Sequence, residues 1–137
     1  MDGAASCVLA LVAGVVAISA FFVDGLPASI RERRCQGAAW RRAFPDAPKQ
    51  AIREFLSVFV DAFSFRTSDR LKFCPEDKII DVYRSVYPKR WLPDELELET
   101  FAKDLEKRFG FRLESIWCDQ LTLEDVFREV CARHVAT

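Results

Sequence analysis

The segment from residue 94 to residue 110 carries the start and stop signals of an α-helix at both of its ends. Asp94 can cap the first turn, and Glu97 stands three residues later, as in a capping box. Lys107 and Arg108 occupy the last turn, where positive charge stabilises the helix dipole, and Gly110 follows at the usual C-cap position. The sequence therefore predicts one sharply bounded helix here. Its predicted buried stripe consists of Leu98, Phe101, Ala102, Leu105 and Phe109.

Three further segments repeat apolar residues at the three- and four-residue spacing of a helix face. The first runs from about Pro48 to Phe65 and is apolar on more than one side, which predicts burial. The second runs from Ile79 to Tyr87 and ends there, because the residue before a proline disfavours helical geometry. The last begins after Thr122, which can cap it together with Asp125. The predicted fold is therefore all-α, a small bundle of four helices.

Large apolar residues also lie between the predicted helices. They are expected to fill the core from the loops, and they are Trp91, Phe111, Leu113, Ile116 and Trp117. No segment alternates polar and apolar residues for long enough to predict a sheet.

Residues 3–23 contain no charged residue. About twenty helical residues span roughly 30 Å, the thickness of the hydrocarbon core of a bilayer. Arginines follow this run and only Asp2 precedes it, so the positive-inside rule predicts a single-pass anchor in the cell inner membrane with a cytoplasmic C-terminal domain. Two alternatives stay open: a signal peptide cleaved near Ala17-Ile18-Ser19, and a buried helix of a soluble protein.

Residues 24–47 are interrupted by glycine and proline and carry five arginines. They are predicted to form a basic linker, either as a topology determinant alone or as a segment attracted to anionic headgroups. The predicted organisation is an anchor at 1–23, this linker, and a helical domain at 48–137.

Composition excludes several classes of function. A formal net charge of −1 gives no electrostatic argument for nucleic-acid binding. The five cysteines contain no Cys-x-x-Cys pair, so neither a metal site nor a disulfide framework is predicted, and no cofactor is expected. His134 is the only histidine. A cysteine nucleophile would need it to meet Cys131 or Cys118, and a surface histidine is the simpler interpretation.

Two motifs in register resemble acyl carrier proteins. The Asp94 helix ends in Leu105-Glu106-Lys107-Arg108-Phe109-Gly110, and Leu121-Thr122-Leu123-Glu124-Asp125 then leads into the last helix. In carriers the corresponding helix opens with Asp-Ser-Leu, and the serine carries phosphopantetheine. Here Glu95 holds that position, and a carboxylate cannot form the phosphodiester. The resemblance therefore implies a carrier-like fold without the attachment chemistry. The chain also departs from carriers in having a helix at Ile79–Tyr87, where they have mainly a long loop.

The resemblance also implies a partner-binding surface, because the acidic helix of carriers docks against basic patches of partner proteins. The corresponding residues here are Asp94, Glu95, Glu97 and Glu99. Compensation of the helix dipole and a solvated face explain the same glutamates without a partner. The expected function is a non-enzymatic, membrane-anchored protein-interaction domain whose protein partner is unknown. The alternative is a working acyl or peptidyl carrier modified on an unrecognised serine, with Ser85 and Ser115 as candidates.

Overall fold

The computed structural model describes residues 26–86 and 96–135, with side chains to residue 133. Within these ranges the chain forms six α-helices, two 3₁₀ helices and no strand. The α-helices are α1 (Ala28–Arg31), α2 (Gly37–Ala43), α3 (Lys49–Ala62), α4 (Ile79–Val86), α5 (Leu96–Phe109) and α6 (Leu123–Val135). The 3₁₀ helices are Thr67–Lys72 and Leu113–Ser115. The prediction of an all-α fold is confirmed for this part of the chain.

The predicted architecture of a four-helix, carrier-like bundle preceded by a transmembrane helix is wrong. The described ranges contain six α-helices, and none of them is long and apolar enough to cross a bilayer. The longest, α3 and α5, have 14 residues each. Such a helix measures about 21 Å, whereas the hydrocarbon core is about 30 Å thick. Residues 3–23, on which the prediction of a membrane anchor depends, lie outside the described residues.

Residues 26–47 differ from the linker that the sequence predicts, because they contribute to the core. Leu26 before α1 and Ile30 within it are buried, and Trp40 of α2 has no exposed surface. The indole Nε1 of Trp40 donates a hydrogen bond of 2.8 Å to the carbonyl of Phe73. A buried indole needs such an acceptor, and this contact joins α2 to the segment before α4. The folded unit therefore begins before residue 48.

Helix α3 lies at the centre of the molecule, as its apolar sides predict. Phe55 and Phe59 are fully buried and both contact Phe101 of α5, at ring-centroid distances of 6.3 and 5.3 Å. Phe55 also contacts Phe127 of α6 at 5.2 Å. Trp40 meets the same Phe127 ring edge-on at 5.8 Å. Aromatic rings from four helices thus form one continuous cluster in the core.

The end of α3 is a Schellman motif. Ser64 adopts a left-handed conformation with φ of 59°. Its N–H donates to the carbonyl of Asp61 at 3.1 Å, and the N–H of Phe65 donates to the carbonyl of Val60 at 2.8 Å. These two bonds satisfy carbonyls that the helix leaves free and stop it three residues before the predicted Phe65. Glycine is usual at the left-handed position, and a serine there does not mark the end of a helix in the sequence.

Helices α5 and α6 end and begin as predicted. Gly110 has φ of 66°, and its N–H donates to the carbonyl of Glu106 at 2.9 Å. At the start of α6, the N–H of Asp125 donates to the hydroxyl of Thr122 at 3.2 Å, and the N–H of Thr122 donates to the Asp125 carboxylate at 3.1 Å. This reciprocal pair is a capping box in which aspartate replaces the more usual glutamate.

The starts of α4 and α6 are held side by side by main-chain bonds. Lys78 and Thr122 form an isolated antiparallel bridge. The N–H of Ile79 donates to the carbonyl of Leu121 at 3.1 Å, and the N–H of Leu123 donates to the carbonyl of Asp77 at 3.0 Å.

Candidate functional site

The structure describes two of the four residues of the predicted acidic face. Asp94 and Glu95 lie outside the described residues. Glu97 and Glu99 belong to the first turn of α5, where Glu97 is half-buried and Glu99 is exposed. Of these two described glutamates, Glu99 lines a groove on the surface and Glu97 does not.

That groove lies between α4, α5 and the connection that follows α5. It has a volume of about 360 Å³. We call it the acidic groove, and its lining residues are Ile80, Arg84, Leu98, Glu99, Ala102, Leu113, Glu114, Trp117 and Asp119. The size lies within the range of about 300–1,000 Å³ that is common for binding sites in proteins.

The groove has an apolar lining and an acidic border. Its lining holds three carboxylates, from Glu99, Glu114 and Asp119, and one guanidinium, from Arg84. Three negative charges and one positive charge leave a formal charge of −2. All four of these residues are exposed, whereas the apolar residues between them are mostly half-buried or buried. This combination suits a ligand that is both basic and apolar.

Trp117 corrects a prediction from the sequence. It was expected to fill the core, yet 36% of its surface is exposed, and its ring lines the acidic groove. Phe111 and Leu113, in the same connection, are buried as predicted. Leu96, at the start of α5, is 56% exposed. Leu96 precedes Glu99 by three residues, so the two share one face of the helix. Sequence alone does not distinguish a loop tryptophan that packs inward from one that faces a groove.

The two serines considered for a prosthetic group lie on the surface. Ser85 is the penultimate residue of α4, and Ser115 ends the second 3₁₀ helix. Each hydroxyl donates a hydrogen bond of 2.7 Å to the carbonyl three residues earlier, at Val82 and Arg112 respectively. Neither stands at the first turn of a long helix, where carriers hold the modified serine.

The thiols of Cys74 and Cys131 are poorly suited to act as nucleophiles. Burial is the main cause that raises the pKa of Cys74 to about 11, and the neighbouring Asp77 carboxylate adds to it. Burial also raises the pKa of Cys131 above its usual value. Because the thiolate is the reactive form, both thiols are protonated at neutral pH. His134, which a cysteine nucleophile would need as its base, has its side chain outside those that the structure describes.

Among residues 26–86 and 96–135, no group of three or more metal-ligating side chains is close enough to hold a metal ion. No family model, curated protein or solved structure matches this chain. The resemblance to acyl carrier proteins therefore stays an expectation from the sequence.

Proposed function

We propose that this chain is a helical protein-interaction domain whose acidic groove binds a basic amphipathic helix of a partner protein. The observation that carries the proposal is the exposed indole of Trp117 at the side of a groove with a formal charge of −2. The amphipathic helix of the partner would place its apolar face on the groove lining and its lysines or arginines against the carboxylates.

Charge supports a basic partner. Glu99, Glu114 and Asp119 come from two different parts of the chain, α5 and the connection after it, and they border one groove. Such a border attracts positively charged segments and speeds their association, with an effect that declines as salt increases. Compensation of the helix dipole explains Glu99 but not Glu114 and Asp119, because neither lies in the first turn of a long helix.

Exposed apolar surface supports a protein as the partner. Leu96 and Trp117 are the large hydrophobic side chains that the described residues leave exposed. Tryptophan is enriched among the residues that contribute most to binding energy at protein interfaces. An indole that covers a groove can bury its ring against a partner and lose little conformational entropy. Leu96 extends the apolar surface along α5.

The test uses the full chain and a synthetic peptide of lysine and leucine, with leucines at helical spacing and a fluorescent label. We expect binding by fluorescence anisotropy, and weaker binding of a scrambled peptide of the same composition. Trp117→Ala should raise the Kd of the helical peptide about tenfold or more, the loss expected at a central interface residue. Glu114→Gln should raise it by a smaller factor and reduce its dependence on salt.

The matched control is Glu106→Gln, which removes an exposed carboxylate of α5 outside the groove. It should leave the Kd unchanged. If Trp117→Ala binds the helical peptide as tightly as the wild type, the groove is not the binding surface. Trp117→Ala is also the reference variant for affinity capture of the partner. A genuine partner should be recovered by the wild type and lost by this variant.

A further inference from the structure

A second, larger cavity lies at the opposite ends of α5 and α6, away from the acidic groove. It opens where α2 ends and α3 begins, and it has a volume of about 590 Å³. We call it the apolar pocket. Its lining residues are Ala43, Phe44, Pro45, Asp46, Ala47, Pro48, Ala51, Glu54, Phe109, Phe127, Val130 and Cys131. The two sites share no lining residue.

Aromatic rings form much of the pocket wall. Phe44 and Phe127 meet edge to face, with ring centroids 4.7 Å apart, and Phe109 lies at the end of α5. Phe44 is half-buried and also stacks on Trp40 at 6.1 Å. A molecule bound against this wall would therefore contact Phe44, whose ring stacks on the buried indole of Trp40. The pocket would take the hydrophobic body of a small ligand.

The charged groups of the lining are both negative. Asp46 and Glu54 are exposed carboxylates at the pocket, and no lysine or arginine is part of its lining. A cation is attracted by these carboxylates and by the faces of aromatic rings. The head group of an anionic amphiphile would meet two carboxylates of like charge there. From this arrangement, we infer that the apolar pocket binds a small amphiphile with an aliphatic or aromatic body and a cationic ammonium group.

The experiment compares three probes with the same tail, namely decyltrimethylammonium, decanol and decyl sulfate, each below the concentration at which it aggregates. Binding to the full chain is followed by tryptophan fluorescence and by protection of Cys131 from a thiol reagent, read by mass spectrometry. Cys35 and Cys118 are exposed and do not line the pocket, so they report unspecific effects. We expect the ammonium probe to bind about fivefold or more tightly than the sulfate.

Two variants locate the site. Ala51→Trp adds a large ring to the pocket wall and should weaken binding of decyltrimethylammonium about tenfold or more. Its control is Ala132→Trp, at an exposed position of α6 outside the lining. Circular dichroism establishes that both variants fold. The double variant Asp46→Asn with Glu54→Gln should weaken the ammonium probe about fivefold and leave decanol unchanged, whereas Asp61→Asn with Glu129→Gln should affect neither probe.

Three results would overturn the inference. Unchanged binding by a folded Ala51→Trp chain would place the amphiphile elsewhere, including on the apolar residues 3–23. Equal affinities for the ammonium and sulfate probes would remove the charge selection. Labelling of Cys131 at the same rate with and without decyltrimethylammonium would show that the pocket stays empty. Trp117→Ala serves as a further reference, because loss of the acidic groove should leave the apolar pocket unaffected.

Discussion

The Nη1 atom of Arg33 lies 2.7 Å from the Oδ2 atom of Asp77 and donates a hydrogen bond to it. The pair joins the segment between α1 and α2 to the turn before α4. Asp77 is largely buried, with 11% of its side chain exposed, and the same oxygen accepts a second hydrogen bond from the N–H of Cys74 at 2.8 Å. The main-chain carbonyl of Asp77 also accepts the bond from the start of α6. One residue thus connects three parts of the fold.

Replacing Asp77 should destabilise the protein more than replacing its partner. Asp77→Ala leaves the Cys74 N–H without this acceptor and removes the shortest hydrogen bond of the Arg33 guanidinium. We expect a loss of about 2–3 kcal/mol in the free energy of unfolding. Arg33→Ala should cost about 1 kcal/mol, because 31% of that side chain is exposed to solvent. Urea denaturation measures both values. Arg34→Ala, at an exposed neighbouring position, is the control and should change stability by less than about 0.5 kcal/mol.

The cysteines should react with iodoacetamide at very different rates. The pKa of Cys74 is raised from 9.0 to about 11, which lowers its thiolate fraction at neutral pH about a hundredfold. Cys131 should also be slow, since burial raises its pKa, whereas Cys35 and Cys118 are exposed. Mass spectrometry of timed samples gives the four rates, and unfolding in urea should make them similar. Labelling of Cys74 as fast as Cys35 in the folded protein would contradict this environment and favour a cysteine nucleophile.

Helices α3 and α5 are each followed by a residue with positive φ, and substitutions at these two positions should change stability in opposite directions. Ser64 pays the steric cost of its positive φ, so Ser64→Gly should raise the free energy of unfolding by about 0.5–1 kcal/mol. Gly110→Ala should lower it by about 1 kcal/mol, although a methyl group there meets no atom within 4 Å. The effect is therefore conformational and not a clash. Thermal unfolding of the two variants measures it, and a stabilising Gly110→Ala would show that α5 ends differently.

Protonation of Asp125 should weaken the start of α6 in acid. The hydrogen bond from the Thr122 N–H is the main cause that lowers the pKa of this carboxyl below 3.8. A carboxyl with a lowered pKa in the folded state stabilises the protein above its unfolded pKa, and this contribution is lost as the pH falls through the folded value. Asp125→Asn should therefore cost about 1 kcal/mol or less at pH 7 and progressively less below 3.8. Asp61→Asn is the matched control.

Phosphopantetheinylation distinguishes an interaction domain from a working carrier. Glu95 cannot accept the group, and the hydroxyls of Ser85 and Ser115 are hydrogen-bonded within their own turns. We expect co-expression with a phosphopantetheinyl transferase to leave the intact mass unchanged. A carrier protein with a modifiable serine, expressed in parallel, establishes that the enzyme is active. A gain of one phosphopantetheine that disappears in Ser85→Ala or Ser115→Ala would support the carrier instead.

The longer helices were predictable because their signals are local. Apolar spacing and caps located α3, α4 and α6, and Gly110 marked the end of α5. Helices α1 and α2 fall in the segment predicted as a linker, because they have only four and seven residues, too few for a periodic pattern. Glycines, prolines and arginines around them are typical of a linker. Tertiary contacts, such as those of Trp40 with Phe73 and Phe127, make this segment part of the core.

The candidate site was predictable only in part. Glu99 was expected on a binding face and does line the acidic groove. The sequence placed Trp117 in the core, because the direction of a loop side chain depends on packing with residues distant in the chain. The apolar pocket had no sequence signal. Its lining comes from the α2–α3 connection, α3, α5 and α6, and only folding brings these separate segments together.

The burial of Trp40 limits how short a fragment of this protein can be and still keep its core. A fragment starting at residue 48 would retain α3 and α6 but leave a tryptophan-sized hole beside Phe55 and Phe127. It would also lack Arg33 and its ion pair with Asp77. A recombinant fragment for crystallisation or partner screening should therefore keep every residue from Leu26 onward. A fragment of the four longer helices alone would lose the contacts of Trp40 with Phe55 and Phe127.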